Sequence, residues 1–464
     1  VVEPYMKAVE NKAWWYGCYH NWNAVVNGGC GMAGLALGDE EPLAAEAATA
    51  AQSGLRPFFN ALGREGGWDE GTGYWAYAMR YVLLYGEACS RLTDDQRVFH
   101  QRGLDSTGLF GVYFTPRGQA ASFGDNAVTP RYGALYLLVK HFGLRELAWW
   151  LDTYSFEHDI STTDAAAAGL ALLFRPEDAE TGEPELETVK VFHEIGWAAM
   201  ADHWPRPSMY VAAKTGDLSA NHSQRDMNSI QLQVDGEMLL TDLGNPPYSA
   251  EYLSASREEF YEVQARGHNT LVVADRDHRI DAQGRVVEGL ADHGYRWLTC
   301  DAGEACGEDV RFFRHLVMLL DASGNGETLV VVDELTGGAP ERMRLYWHLG
   351  GEARIDAKSK TGRIVGTKSA LHFGFASTVK STADLDTQDV RSGKVDRFIR
   401  IAAGLAGEAL FAAVFSRRPV GKSQIKAGAT HVDIFLDDAR TLRFNAKRKH
   451  LQLEEVAGQS SAAP

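Results

Sequence analysis

A chain of 464 residues, 45% apolar and 23% charged, exceeds the usual size of one domain and has apolar material for more than one core. Its net charge of −16 excludes non-specific binding to nucleic acid or to an anionic membrane surface, which requires a basic face. No run of about 18 apolar residues offers a membrane span. The same charge would repel a polyanionic ligand, so reading one would take local arginines. The start, Val1-Val2-Glu3-Pro4, has neither an initiator Met nor a signal-peptide pattern, so the compartment cannot be read from it. Five cysteines lack metal-ligand spacing; Cys300 and Cys306 could pair in an oxidising compartment, and free, mostly buried thiols are the simpler reading.

In chain order, residues 42–62, 74–88 and 163–174 carry apolar side chains at three- and four-residue spacing, which predicts helices. Asn27-Gly28-Gly29, Gly66-Gly67-Trp68 and Phe123-Gly124-Asp125 predict turns between helices, and such a rhythm suggests an α/α toroid whose loops line a groove at one end. Residues 175–187, with Pro176, Gly182, Pro184 and six acidic side chains, predict a linker. The period then changes. Ile230 to Val234 alternates, Asp235-Gly236 turns and Met238 to Leu240 resumes, which predicts a β-hairpin. Leu316 to Leu320, Thr328 to Val332 and Val432 to Leu436 predict further strands. The expected fold is α+β with two domains: helical residues 1–180, then an antiparallel β-sandwich over 188–464.

Four islands hold residues that could carry chemistry. The first runs from Cys18 to Gly29 and sets His20, Asn21, Asn23 and Asn27 beside Trp22; a capped helix start is the plain alternative. The second runs from Trp68 to Tyr77, with Asp69, Glu70, Tyr74 and Trp75; some of its rings belong to a core by default. The third, Ser219 to Ser229, contains His222, Gln224 and Asp226, which share one side of an extended chain, although a plain exposed turn is an equal reading. The fourth pairs Asp242, at the end of an apolar strand, with His268, at the start of another.

Taken in order, these islands resemble the heparinase II/III-like polysaccharide lyases, a family that includes alginate lyases and is related to uronyl epimerases. The resemblance spans roughly residues 15–275 and implies an N-terminal α/α toroid followed by an antiparallel β-sandwich. His20-Asn21-Trp22-Asn23 through Gly28-Gly29 is similar to the toroid motif that binds a uronate carboxylate. Asp69-Glu70-Gly71 through Trp75 resembles the motif bearing the catalytic Tyr, here Tyr74. Phe123-Gly124-Asp125 resembles another toroid loop. Asn221-His222 through Asp226 resembles the run whose first His, here His222, is catalytic. Asp242 and His268, with the second His of that run, match positions that hold a structural zinc in several members. Gln224 stands at that second His, and a carboxamide is a poorer zinc ligand than an imidazole; a hydrogen-bonded network without metal is the other arrangement. Little chain precedes the His20 motif, so the toroid is expected to be incomplete.

What the resemblance implies is a lyase that cleaves a uronate-containing poly- or oligosaccharide by β-elimination. Tyr74 and His222 would be the acid and base, Tyr74 donating to the leaving oxygen and serving as base for one substrate stereochemistry. His20, Asn21 and Asn23 would hold the uronate carboxylate, and Trp22 and Trp75 would stack on sugar rings. Glu70 and Arg225 would contact substrate; Arg225 or a protonated His20 would lower the phenol's pKa. The site would lie between the domains, in a periplasmic or secreted protein, with the cytoplasm as the alternative. Other readings are a C5-epimerase, a hydrolase working through two of Asp69, Glu70 and Asp125, and a non-catalytic carbohydrate binder.

Overall fold

A computed structural model describes residues 1–38, 41–125, 128–130, 132–155, 165–179, 182–391, 393–421, 425–427, 431–435, 440–445 and 450–455. The chain divides into two compact units, Val1–Leu186 with Ala220–His222, and Glu187–Ser219 with Ser223–Pro464. Residues 220–222 thus belong to the helical unit although they lie far along the chain.

The first unit contains α1 (Val2–Glu10), α2 (Trp14–Gly17), α3 (Asn21–Leu37), α4 (Ala44–Gly54), α5 (Arg56–Leu62), α6 (Thr72–Thr93), α7 (Thr107–Tyr113), α8 (Tyr136–Phe142), α9 (Arg145–Trp150) and α10 (Ala165–Phe174). The single helix expected over 42–62 is two, broken at Leu55. Pro57 has no N–H to give a continuing ladder but suits the first turn of a new helix. Of the helix expected over 163–174, positions 163 and 164 lie outside the described residues.

The turn expected at Asn27-Gly28-Gly29 is a correction: these residues sit inside α3. The reason is packing. A Cβ on Gly28 would come within 2.8 Å of the Tyr81 carbonyl oxygen, and one on Gly31 within 2.6 Å of the Tyr85 ring and 2.7 Å of Ala51 Cβ. A Cβ on Gly34 would stand 2.7 Å from the Ala44 carbonyl. Glycines three apart line one stripe of the helix, letting α3 lie close against α4 and α6. Tertiary contact outweighs their poor helix propensity.

The second unit is antiparallel throughout its described pairings. Strands β1 (Val189–Phe192), β2 (Trp197–Ala201), β3 (Met209–Lys214), β4 (Ser229–Val234) and β5 (Glu237–Leu240) form a meander. A larger sheet runs β11 (Glu352–Asp356), β12 (Thr361–Val365), β13 (Ala370–Ser377), β15 (Val395–Ser416), β10 (Gly326–His348), β9 (Val310–Leu320), β8 (Tyr295–Asp301) and β7 (Arg285–Ala291). On it, β14 (Ser381–Asp389) pairs with β15 and β6 (Leu271–Val273) with β10. Strands β16 (Ile425–Ala427), β17 (His431–Phe435), β18 (Arg440–Asn445) and β19 (His450–Glu455) make a third sheet.

The expected hairpin turns at Asp235 (φ +51°) and Gly236 (φ +79°); positive φ at both central residues matches the right-handed twist of the flanking strands. Met200, Val211, Ile230 and Leu232 of the meander share one core with Leu316, Met318, Leu329 and Val331 of the large sheet. Val330 and Val332 point the other way and pack with Val432 and Ile434 of β17. That explains why 328–332 reads as an unbroken apolar run rather than an alternation: both faces are covered. Leu436, at the end of the strand expected over Val432 to Leu436, lies outside the described residues. All five cysteines are free.

Candidate active site in the helical unit

Glu70 organises the site. It sits just before α6, is fully buried, and accepts three N–H bonds: from the Asn21 backbone (2.7 Å) and Trp68 Nε1 (3.0 Å) on Oε2, and from Asn221 Nδ2 (2.7 Å) on Oε1. It therefore ties the start of α3, the Trp68 loop and the 220–222 excursion together. Burial pushes its carboxyl up to about 8, against the three donors that pull it down. The substrate contact expected of Glu70 is corrected to a buried cross-link.

Tyr74, on the first turn of α6, is partly buried. Its ring stacks on the His222 imidazole, with centroids 3.9 Å apart and planes 11° from parallel. His222 Nδ1 lies 3.1 Å from Asp125 Oδ2, and its Nε2 lies 4.0 Å from Glu70 Oε1. The phenol and the imidazole that sequence reasoning placed in one site are in contact. His20 stands at the N-cap position of α3 without a side-chain capping bond; burial, and then the neighbouring His222, hold its imidazole below the ordinary value. Asn21 opens α3, and its carboxamide has no hydrogen-bond partner among the described residues.

The structure places other expected residues elsewhere. Asn23 is fully buried and its Nδ2 bridges the carbonyls of Trp15, Tyr16 and Gly54 at 2.8–3.2 Å, so it braces α2 against α3 and α4 rather than facing a ligand. Trp75 is fully buried, donates from Nε1 to Thr107 Oγ1 at 2.8 Å and packs on Phe110; it is core, not a sugar platform. Trp22, by contrast, is 50% exposed beside Trp14 (61%) and Tyr19 (63%), its ring 5.5 Å from that of Trp14. Arg225 belongs to the sheet unit, where it pairs with Glu258. Sequence reasoning gave Asp125 a role only in the hydrolase alternative, and gave none to Asn221 or Trp14. The first two stood inside recognised motifs, and the third is invisible without knowing its exposure.

In the sheet unit, Asp242 Oδ2 accepts from His268 Nδ1 at 2.9 Å, Asp242 Oδ1 accepts the Gly244 N–H at 2.8 Å, and Gln224 Nε2 donates to the Gly244 carbonyl at 3.2 Å. Burial opposes charge at both acid and base, yet each overcomes it for the other: Asp242 is held below its ordinary value and His268 above. His268 Nε2 is buried without a partner among the described residues, which is one feature a metal would satisfy. One nitrogen is not a zinc site. Zinc at about 2.0–2.1 Å from each ligand spaces tetrahedral donors roughly 3.3 Å apart, wider than this hydrogen bond. Among the described residues no three His, Cys, Asp or Glu are grouped to hold a metal. The residues present do not fit the zinc that the resemblance implies.

Beneath this pair, Arg314 on β9 faces Asp333 on β10 in register, with Nε–Oδ1 2.7 Å and Nη2–Oδ2 2.9 Å, and donates from Nη1 to the carbonyls of Asn228 and Asn269. Both side chains are buried.

Comparison with known proteins agrees with this architecture. Residues 184–405 match the model of the heparinase II/III-like, C-terminal family. Three solved structures share the fold. Heparinase III has a TM-score of 0.68 at 13% identity, over 94% of this chain and 67% of that one. A mutant heparan sulfate lyase HepC from Pedobacter heparinus has 0.65 at 14%, over 98% and 69%, and HepC from the same organism 0.64 at 14%, over 93% and 65%. The chain spans about two thirds of the length of each. No curated protein matches it in sequence. No helix among the described residues is long and apolar enough to cross a membrane.

Proposed function

We propose that this protein cleaves a uronate-containing glycan by β-elimination, leaving a 4,5-unsaturated uronate, with Tyr74 and His222 as the proton-transfer pair. The observation that carries this is their stacked contact at 3.9 Å, which puts an acid and a base within reach of one sugar ring. In the reaction, the imidazole takes the C5 proton, the C5–H electrons become the C4–C5 double bond, and the C4–O bond breaks as the phenol protonates the departing oxygen. The C5 proton is weakly acidic until the adjacent carboxylate can accept charge. The unengaged Asn21 carboxamide, with His20 beside it, supplies donors there.

The exposed Trp14–Trp22 pair offers a stacking surface for a neighbouring sugar. The helical unit is then an α/α toroid, and the family resemblance supports a periplasmic or secreted setting. The overall negative charge favours short or unsulfated uronides over densely sulfated polymers. A hydrolase is disfavoured, because Glu70 is cross-linked in the interior and Asp125 is engaged with His222.

The test is a panel of uronides, unsulfated and sulfated, followed by ultraviolet absorbance of the unsaturated product. Tyr74→Phe is expected to lower turnover by at least about 10²-fold. Full activity in that variant, or saturated reducing-end products from the wild type, would overturn the reading. Solvent-deuterium uptake without absorbance would instead mark an epimerase.

A further inference from the structure

A cavity of about 510 Å³ opens in the sheet unit, between the segment that leads into β7 and the turn that joins β8 to β9. That volume falls within the ~300–1,000 Å³ of small-molecule sites. Its charged lining is Arg279, Asp281, Arg285, Asp301, Glu304 and Arg311. None of them takes part in the proposed elimination.

The walls are fastened to each other and to the meander. The Arg279 N–H donates to the Ala305 carbonyl at 2.9 Å, joining the two segments. The Gly284 N–H donates to the Gly216 carbonyl at 2.7 Å and the Leu218 N–H to the Ala282 carbonyl at 3.1 Å, which holds the first segment on the chain after β3. Asp301 Oδ1 accepts the Gly303 N–H at 2.9 Å. Gly303, at φ +56°, lies so close to the Gln283 carbonyl that a Cβ would strike it. A wall built this way loses little conformational freedom when a ligand binds.

The three cations are not equivalent. Arg279 is engaged: Nε and Nη2 grip Asp281 at 3.0 and 2.9 Å, and Nη1 lies 3.4 Å from Glu308 and 3.7 Å from Glu304. That grip holds the Asp281 carboxyl below its ordinary value, so it stays an acceptor. Arg285 Nη2 has one loose contact, 3.4 Å to Asp301 Oδ2, on a side chain that is 73% exposed. Arg311 is exposed and makes no ion pair or side-chain hydrogen bond among the described residues. Guanidinium forks match the two oxygens of a carboxylate. The surrounding carboxylates accept from hydroxyls and repel further negative charge. Three arginines against three carboxylates leave the charged lining formally neutral, which suits a ligand with one negative charge and several hydroxyls. A metal ion would have to displace guanidiniums from Asp281 and Asp301, and among the described residues no three His, Cys, Asp or Glu are grouped to hold one.

We propose that this cavity is a second, non-catalytic glycan site that binds a uronate residue, with Arg311 and Arg285 on its carboxylate and Glu304 and Asp281 accepting from its hydroxyls. It goes beyond the elimination reaction and is tested without turnover. The full chain is titrated with glucuronate and with galacturonate, glucose and inorganic sulfate serving as controls, and protection from backbone hydrogen exchange is mapped by mass spectrometry. Protection of peptides covering residues 279–285 and 301–311 is expected with a uronate and with neither control.

Arg311→Ala should raise the apparent Kd read from that protection by roughly tenfold, with Tm unchanged because the side chain is exposed. Arg311→Lys keeps the charge without the fork and should recover only part of the loss. Absence of protection at these peptides overturns the proposal, as does protection that survives Arg311→Ala combined with Arg285→Ala. Equal protection by sulfate would mark a simple anion site and overturn the sugar-acid assignment. On any uronide that the wild type turns over, Arg311→Ala should keep its kcat; a matching loss of kcat would overturn the non-catalytic role. Were the wild type to turn over no uronide, the elimination reading would fail while the exchange data still decided this site.

Discussion

Replacing Glu70 by Gln probes the buried cross-link through its proton. The folded carboxyl titrates near 8, against an ordinary 4.5. Between those values the folded chain holds a proton that the unfolded chain has released. Stability contributed this way is fully present below about pH 4.5 and is lost as pH rises through about 8. At ~1.4 kcal/mol per unit, the interval corresponds to a swing of up to about 5 kcal/mol. With a urea dependence of about 2–3 kcal/mol per molar, the wild-type midpoint should fall by on the order of 2 M relative to Glu70→Gln between pH 4.5 and 9. Gln cannot ionise, yet its oxygen can still accept from Asn21 and Trp68, and the Asn221 carboxamide can turn to meet its NH2. The assay is urea unfolding of both proteins at half-unit pH steps. Only the difference between them counts, because other groups titrate in both. Parallel curves across that range would refute the assignment of a proton to Glu70.

The remaining expectations concern both units. Asp333→Ala should destabilise the sheet unit by about 3–5 kcal/mol, since it strands the Arg314 guanidinium in the core; a shift in unfolding midpoint under 1 kcal/mol would show that Arg314 finds another partner. Protein purified without added metal should carry no stoichiometric zinc by elemental analysis, and a chelator should leave its Tm unchanged. Bound zinc near one per chain would reverse that reading of Asp242, His268 and Gln224. Trp14→Ala and Trp22→Ala, at exposed positions, should change stability by no more than about 0.5 kcal/mol while raising KM several-fold on longer uronides. Equal KM on all lengths would remove the aromatic pair from the binding surface.

Much of the site was legible because its motifs are local strings. Tyr74, His222, His20 and Asn21 stood out by residue type and order, and the structure gathers them. The hairpin at Asp235-Gly236 was legible for the same reason: a turn's geometry depends on two residues and their immediate flanks. Glu70, Asn23 and Trp75 were misjudged because a polar or aromatic side chain beside a catalytic one looks the same in sequence whether it faces solvent or the core.

What the sequence alone determined here is the succession of helical and strand periods and the chemical inventory of each motif, since both follow from interactions within a few residues. Tertiary structure decided the rest. It carried α3 straight through Asn27-Gly28-Gly29, because close helix packing outweighs a turn propensity worth about 1 kcal/mol per glycine. It set Asp125 on His222 across 97 positions and Arg314 on Asp333 across 19. Contacts between such distant positions leave no periodic trace in a single chain, and burial, which separates a brace from a binding group, is a property of the whole fold.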